Sequence, residues 1–139
     1  MAAPDHNEIL LRMAYDAQAR GDIDAYLDLL SEDVVFHVPG RSRIAGEYRG
    51  KDEVRRHFQE IRTLSGGTFR TEIHEVLAGE EHVVGLVRGQ AERDGATVDL
   101  PRVHVWHVKN GKLGELWVHP ADQYAFDEYW GERTEPKTQ

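Results

Sequence analysis

Three histidines, two tryptophans and an arginine stand within PRVHVWHVKNGKLGELWVHP, residues 101–120. A neutral imidazole near pH 7 accepts a proton and an imidazolium returns one, so two histidines together can divide acid and base work. A guanidinium beside them can hold an oxyanion or a carboxylate. Flat indoles can stack on a ligand or simply pack. These groups act together only if the chain brings them to one side of a sheet.

The two hydrophobic runs meet at Asn110-Gly111, a two-residue hairpin signal, because a type I′ turn needs positive φ at both central positions. With those two as turn residues, Lys109 faces Lys112, Trp106 faces Glu115, His104 faces Trp117 and Arg102 faces His119. Facing residues share a side of the sheet, and so do alternate residues. One face is therefore expected to carry Arg102, His104, Trp106, Glu115, Trp117 and His119. The other carries Val103, Val105, His107, Leu116 and Val118. The Asp94-Gly95 hairpin extends the pattern: His104 faces Gly85, Arg102 faces Val87, Leu100 faces Gly89 and Val98 faces Ala91. Small residues beside the polar face leave volume or let the sheet bend. All of this assumes an unbroken ladder, since a β-bulge swaps the faces beyond it.

On this pattern His104 and His119 are the candidate acid–base pair and Arg102 the charge stabiliser. The bland alternatives are a buried histidine satisfied by one hydrogen bond, and an arginine paired with Glu115 or Asp122. Trp106, Trp117, Tyr15 and Phe58 are candidate ligand walls, with core packing as the alternative. Glu115 and Asp122 are candidate polar contacts. Asp122 either orients His119 or caps the terminal segment. His37 lies on the strand 34–38, and alternation leaves open which side of that strand lines the pocket. His104 and His107 fall on opposite faces and cannot chelate together. Without an HxH or HExxH pattern no metal is expected from His37, His104 and His119, and no cofactor is expected. His6, His57, His74, His82 and His107 read as solvated. No glycine-rich phosphate loop appears, and no serine sits in a nucleophile turn.

The elements that must position these residues are legible as helices first, strands after. Residues 5–20 show apolar side chains at helical spacing (Ile9, Leu10, Met13, Ala14, Ala17), with Asp5 and Glu8 at capping-box distance. Gly21 ends this helix and Asp22 caps a second, which turns Tyr26, Leu27 and Leu30 inward. A strand at 34–38 stops at Pro39-Gly40, and 41–50 is a loop with room for a short strand. A third helix over 51–64 carries Val54, Phe58 and Ile61 on one side. Four strands follow, about 68–78, 81–93, 96–109 and 112–119. The segment 121–130 reads as a short helix or a covering segment. The domain spans 5–130, and 131–139 is a polar tail. The fold class is α+β: a curved antiparallel sheet covered by about three helices around a central pocket.

The chain has 139 residues, 40% of them hydrophobic, and a formal net charge of −8. That charge argues against a nucleic-acid backbone as partner. With no cysteine, disulfides and thiolate chemistry are excluded. No apolar stretch approaches transmembrane length, and the start lacks the pattern of a signal peptide, so the expected location is cytoplasmic and away from membranes. The aliphatic sheet face (Val84, Leu86, Val103, Val105, Leu116, Val118) would be costly to expose and is expected to form a homodimer.

Helix–GD–helix, then SEDVVFHVPG, YRGKDEVRRHF and VHVWHVKNGKLGELWVHPADQYAFDEYW, resembles the SnoaL-like branch of the nuclear transport factor 2-like superfamily over roughly residues 5–130. The resemblance implies a curved sheet wrapped by helices into a cone, a ligand pocket inside it and dimers through the sheet. Ketosteroid isomerases of this fold need a tyrosine, an aspartate and a second acid at positions that here hold Ala14, Val38 and, nearby, Val103. Steroid isomerisation by that mechanism is therefore not expected. Limonene-epoxide hydrolases use Arg-x-Asp followed by an aspartate two residues after a tryptophan. The matching stretches are Arg102-Val103-His104 and Trp117-Val118-His119, with both acids replaced by histidine. Polyketide cyclases of the SnoaL type place a histidine and an acid here. His104 fits the first, and His119 holds the second position, with Asp122 or Glu115 nearby. The resemblance thus implies cofactor-independent cyclase, isomerase, dehydratase or epoxide-opening chemistry on an apolar or polycyclic organic molecule. A non-catalytic ligand-binding or assembly protein is the alternative.

Overall fold

The structure is a computed structural model that describes residues 4–131. In chain order it contains α1 (Pro4–Ala19), α2 (Ile23–Asp28), β1 (Leu30–Val38), β2 (Gly46–Arg49), α3 (Gly50–Ser65), β3 (Arg70–Ala78), β4 (His82–Arg93), β5 (Ala96–Lys109), β6 (Lys112–Pro120) and α4 (Gln123–Trp130). The six strands form one open, curved sheet in the order β2-β1-β6-β5-β4-β3. β1 and β6 run parallel and every other pair is antiparallel. The architecture is α+β as expected, with a fourth helix where 121–130 left two possibilities. Of the expected polar tail, residues 132–139 lie outside the described residues.

Local chemistry sets most of these boundaries. Asp22 caps α2 by accepting from Ala25 N at 3.1 Å. Gly66, at φ 63°, closes α3 in the left-handed conformation that costs glycine nothing. Asp94 and Asn110 take positive φ, as do Gly95 and Gly111, which makes both hairpins type I′. Two details of α1 differ from the sequence expectation. The helix already begins at Pro4, so Asp5 lies within its first turn. Ile9 and Met13 point outward at 58% and 52% exposure, while Leu11 and Tyr15 take the inward positions.

The β4–β5 hairpin keeps its register from end to end, with Gly85 opposite His104 and Gly89 opposite Leu100. The β5–β6 hairpin does not. Lys109 faces Lys112 and Val108 faces Leu113, but His107 then faces Glu115, leaving Gly114 as an extra residue on β6. A side chain at Gly114 would come within 3.2 Å of Lys109 Cβ, so glycine suits the bulge. Beyond it the faces exchange. Leu116 and Val118 turn inward beside Trp106 and His104, while Glu115, Trp117 and His119 turn outward beside Val103, Val105 and His107. This overturns the expected gathering of Arg102, His104, Glu115, Trp117 and His119 on one face. It also removes Leu116 (3% exposed) and Val118 (7% exposed) from the predicted dimer surface. Val84, Leu86, Val103 and Val105 remain on that outer face, joined by Trp117, all half-buried.

The core lies between the inner face and the helices. Phe36 of β1, Phe58 of α3 and Trp106 of β5 meet edge to face at centroid distances of 5.5–6.2 Å. Phe36 and Trp106 are each 1% exposed, and burying a side chain of this size is worth about 2–3 kcal/mol. Asn7 of α1, fully buried, donates to Gly79 O at 2.8 Å and Glu80 O at 3.0 Å, tying α1 to the β3–β4 turn. Across the molecule, α4 buries Phe126, Tyr129 and Trp130. Its Asp127 accepts from Arg41 N at 3.1 Å. Gly40 (φ 103°) has no room for a side chain there, because a Cβ would collide with Gln123 and Asp127.

Candidate functional site

Between β5, β6, α3 and α4 lies a cavity of about 40 Å³. Its polar lining is Gln18, Tyr26, His57, Arg102 and His104, and its apolar walls include Phe36, Phe58, Ile61, Phe69, Leu116 and Val118. Among the described residues no aspartate or glutamate lines it. A larger hollow of about 460 Å³, lined among others by Ile73, Leu86, Pro101 and Val103, is a groove on the sheet and contains none of the buried histidines.

Arg102 is 8% exposed. Its Nη2 donates to Thr71 Oγ1 at 2.8 Å, and its guanidinium carbon sits 4.9 Å from the centre of the Phe69 ring. Among the described residues no carboxylate forms an ion pair with it. Its Nε has no hydrogen-bond partner among the described residues. Burial lowers its pKa from the usual arginine value to about 10, so at neutral pH it is a buried cation without a counter-charge among the described residues. The close approach depends on Gly89, where a Cβ would lie 3.4 Å from the guanidinium carbon and 3.1 Å from Phe69.

His104 is 7% exposed and pairs through Nδ1 with Tyr15 Oη at 2.7 Å. The two rings stack with centroids 5.9 Å apart. Gly85, opposite His104 on β4, makes the room: a Cβ there would fall 2.7 Å from the Tyr15 hydroxyl. Burial, followed by the Arg102 charge, holds His104 well below its usual 6.5. Burial pushes the Tyr15 phenol upward, so the pair is neutral imidazole with neutral phenol.

His57 of α3, read from sequence as solvated, is 6% exposed. It lies among Phe36, Tyr48 and Phe58, with Nδ1 unpartnered among the described residues. Burial, and then the Arg102 charge, lowers it to about 3. Helical spacing carries the signal for it, since 57 follows 54 by three and precedes 61 by four on the apolar stripe. Trp130, also missed, lines the cavity, and its buried indole Nε1 has no partner among the described residues. Thr71 and Phe69, which hold Arg102, have no local pattern that separates them from ordinary strand residues.

Of the other candidates, Phe58 lines the cavity and Tyr15 braces it through His104. Trp106 is packed against Phe36 and is not in the lining. The remaining four are elsewhere. Glu115 accepts from or donates to nothing inside: it meets His37 Nε2 at 2.6 Å on the outer face, where Glu47 meets the other ring nitrogen at 3.2 Å. Trp117 stacks on that same His37 ring at 5.5 Å. His119 is exposed on the outer side. Asp122 caps α4 by accepting from Ala125 N at 3.1 Å, so it does not orient His119. The sheet separates His104 from His37 and His119, so these three form no metal site, and among the described residues no other metal-binding group of His, Asp or Glu occurs.

Comparison with known proteins places this geometry in context. The profile of the SnoaL-like domain matches residues 11–116. An uncharacterized protein of Mycobacterium tuberculosis (strain ATCC 25618 / H37Rv) is 29% identical over 122 residues, covering 87% of this chain and 93% of the relative. The structure of Bal32a, from a soil-derived mobile gene cassette, superposes with a TM-score of 0.87 at 34% identity, covering 92% of this chain and 98% of that one. A candidate polyketide cyclase from Xanthomonas campestris pv. campestris shares the fold with a TM-score of 0.71 at 18% identity, covering 94% of this chain and 100% of that one.

Proposed function

From the premise that this chain belongs to the SnoaL-like domain family, we propose that it is a small-molecule enzyme performing cofactor-independent acid–base chemistry in the inner cavity. The observation that carries this is the Tyr15–His104 pair beside an uncompensated Arg102. Reaction types that fit are cyclisation, isomerisation, dehydration and epoxide opening, all of which move a proton and develop negative charge on oxygen.

His104 is the proton-transfer residue. When its Nδ1–H donates to Tyr15 Oη, Nε2 is free to accept a proton. The imidazolium so formed keeps its Nδ1–H on Tyr15 and returns the proton from Nε2. Tyr15, accepting from Nδ1, thus favours the tautomer that leaves Nε2 as the base. Arg102 stabilises the oxyanion. His57 stays neutral and stands in the same wall, a place His119 was expected to fill.

The test is solvent deuterium exchange into 1,3-dicarbonyl probes, which reports proton abstraction without knowledge of the natural product. Wild type should catalyse exchange, and His104→Ala should lower it about 100-fold or more. Tyr15→Phe should lower it about tenfold, the pair's oriented hydrogen bond being lost while His104 remains. Exchange in His104→Ala equal to wild type would remove the assignment.

A non-catalytic small-ligand-binding protein is the second reading. It is favoured by the cavity volume, about 40 Å³, which takes roughly three waters rather than a polycyclic molecule. Ligand binding without exchange under any probe selects it. The outer face bearing Val84, Leu86, Val103, Val105 and Trp117 is proposed as a homodimer surface. Sedimentation at micromolar concentration should give a dimer, and Val105→Glu a monomer. A wild-type monomer contradicts it.

A further inference from the structure

We infer that Thr71 is a positioning residue for the proton-transfer reaction: by accepting from Arg102 Nη2 it fixes the guanidinium, and by being neutral it leaves the whole positive charge for the developing oxyanion. In this role Thr71 deepens the enzyme reading, on which it rests, by naming the residue through which Arg102 can act.

The strand register shows the path that Arg102 takes. On β5 it stands opposite Val87 of β4, whereas Thr71 of β3 stands opposite Gly89, two residues further along β4. To reach Thr71 the arginine crosses β4 diagonally, past Gly89. A Cβ at Gly89 would lie 3.4 Å from the guanidinium carbon, 3.1 Å from the Phe69 ring and 2.7 Å from the Leu100 carbonyl oxygen, so the passage exists only with glycine. At its far end the guanidinium lies over the Phe69 ring at 4.9 Å and donates to Thr71 Oγ1 at 2.8 Å. One contact fixes the plane of the group and the other fixes its rotation within that plane. Nε is buried and Nη2 is taken, so Nη1 is the nitrogen left to meet a ligand oxygen. Arg102 and His104 line the same cavity.

The neutrality of this hold is its second property. A carboxylate is the usual partner for a buried guanidinium, matching it by shape and by charge. Here a hydroxyl and an aromatic ring do the holding, and among the described residues no carboxylate pairs with Arg102. A carboxylate at this place would fix the guanidinium as firmly and cancel most of its field. An anion that forms only in the transition state then gains little from it. Leaving the cation uncompensated is unfavourable for folding and useful for chemistry, a conflict typical of functional sites.

The experiment compares Thr71→Ser, Thr71→Val and Thr71→Asp in the dicarbonyl exchange assay, with rates followed against probe concentration and with urea unfolding alongside. Thr71→Ser keeps the acceptor and should retain most of the exchange. Thr71→Val keeps the shape and loses the acceptor, so kcat should fall about tenfold or more with KM nearly unchanged. Thr71→Asp keeps the hold and cancels the charge. Its kcat should fall about 100-fold although its urea midpoint matches or exceeds that of wild type. A purely structural Thr71 gives the opposite for Thr71→Asp, with activity following stability. Should Thr71→Asp fail to fold, the contrast between Thr71→Ser and Thr71→Val decides. Wild-type exchange in Thr71→Val, a loss in Thr71→Ser as large as in Thr71→Val, or a fully active Thr71→Asp would overturn the inference. Exchange that needs His104 but not Thr71 leaves the enzyme reading standing, whereas a wild type without exchange removes both.

Discussion

Acidification from pH 7 to pH 5 destabilises the folded protein by about 2 kcal/mol through His57 alone. In the unfolded chain this ring takes up a proton near 6.5, whereas in the folded protein burial among aromatic side chains holds it to about 3. Above 6.5 the ring is neutral in both states and contributes no pH dependence. Below it the unfolded state binds a proton that the folded state refuses, so stability falls as the pH drops. The fall continues until about 3, where the folded protein protonates as well. His104, also held well below its usual value by burial and by Arg102, adds to the loss in the same direction. Urea unfolding followed from pH 8 to pH 4 should show stability flat above 7 and declining from about 6.5 downward, at up to roughly 1.4 kcal/mol per pH unit for each histidine. His57→Leu should remove its share of the slope. A profile flat down to pH 5 would mean that neither ring is buried in neutral form.

Arg102→Met should stabilise the protein and abolish its ligand binding. Folding lowers the pKa of Arg102 from the usual arginine value to about 10, which corresponds to a cost of about 3 kcal/mol for keeping it charged at neutral pH. Methionine fills similar volume without that cost. The change gives up the 2.8 Å bond from the charged guanidinium to Thr71, whose loss offsets about 2 kcal/mol. The expected net gain is about 1 kcal/mol, read as a higher urea midpoint with an unchanged slope. Binding and exchange should both disappear. Buried charges can be replaced by apolar residues with a gain in stability when their role lies elsewhere, and functional sites show this conflict regularly. A variant less stable than wild type would assign Arg102 a structural role and weaken the case for a ligand that needs it.

Much of the fold is legible in the chain because its punctuation is strong. Asp94-Gly95 and Asn110-Gly111 announce their hairpins, Gly21-Asp22 separates two helices, and Gly66-Gly67 ends a third. Half of the candidate site is legible as well. Arg102 and His104 follow from strand alternation through a hairpin without irregularity. Glu115, Trp117 and His119 do not, because Gly114 breaks the alternation. A trace of it exists in LGELWV, where the buried leucines 113 and 116 stand three apart, a spacing no regular strand puts on one side. Trp117 conceals the slip, since a large indole suits an interior but here lies over His37. His57 was masked by its polarity, although its place on the helix stripe points inward. Trp130 depends on how α4 docks against the loop at Gly40, a contact between distant parts of the chain that no local pattern records.

Gly114 acts as a parity switch for everything downstream of it. The same letters, Trp-Val-His at 117–119, would offer an indole and an imidazole to the ligand in a chain lacking the extra residue, and offer a valine in this one. Two relatives can therefore agree letter for letter across this stretch and still present different chemistry to what they bind. Inheritance of function along this edge of the fold has to be traced by spacing from the turn as well as by identity.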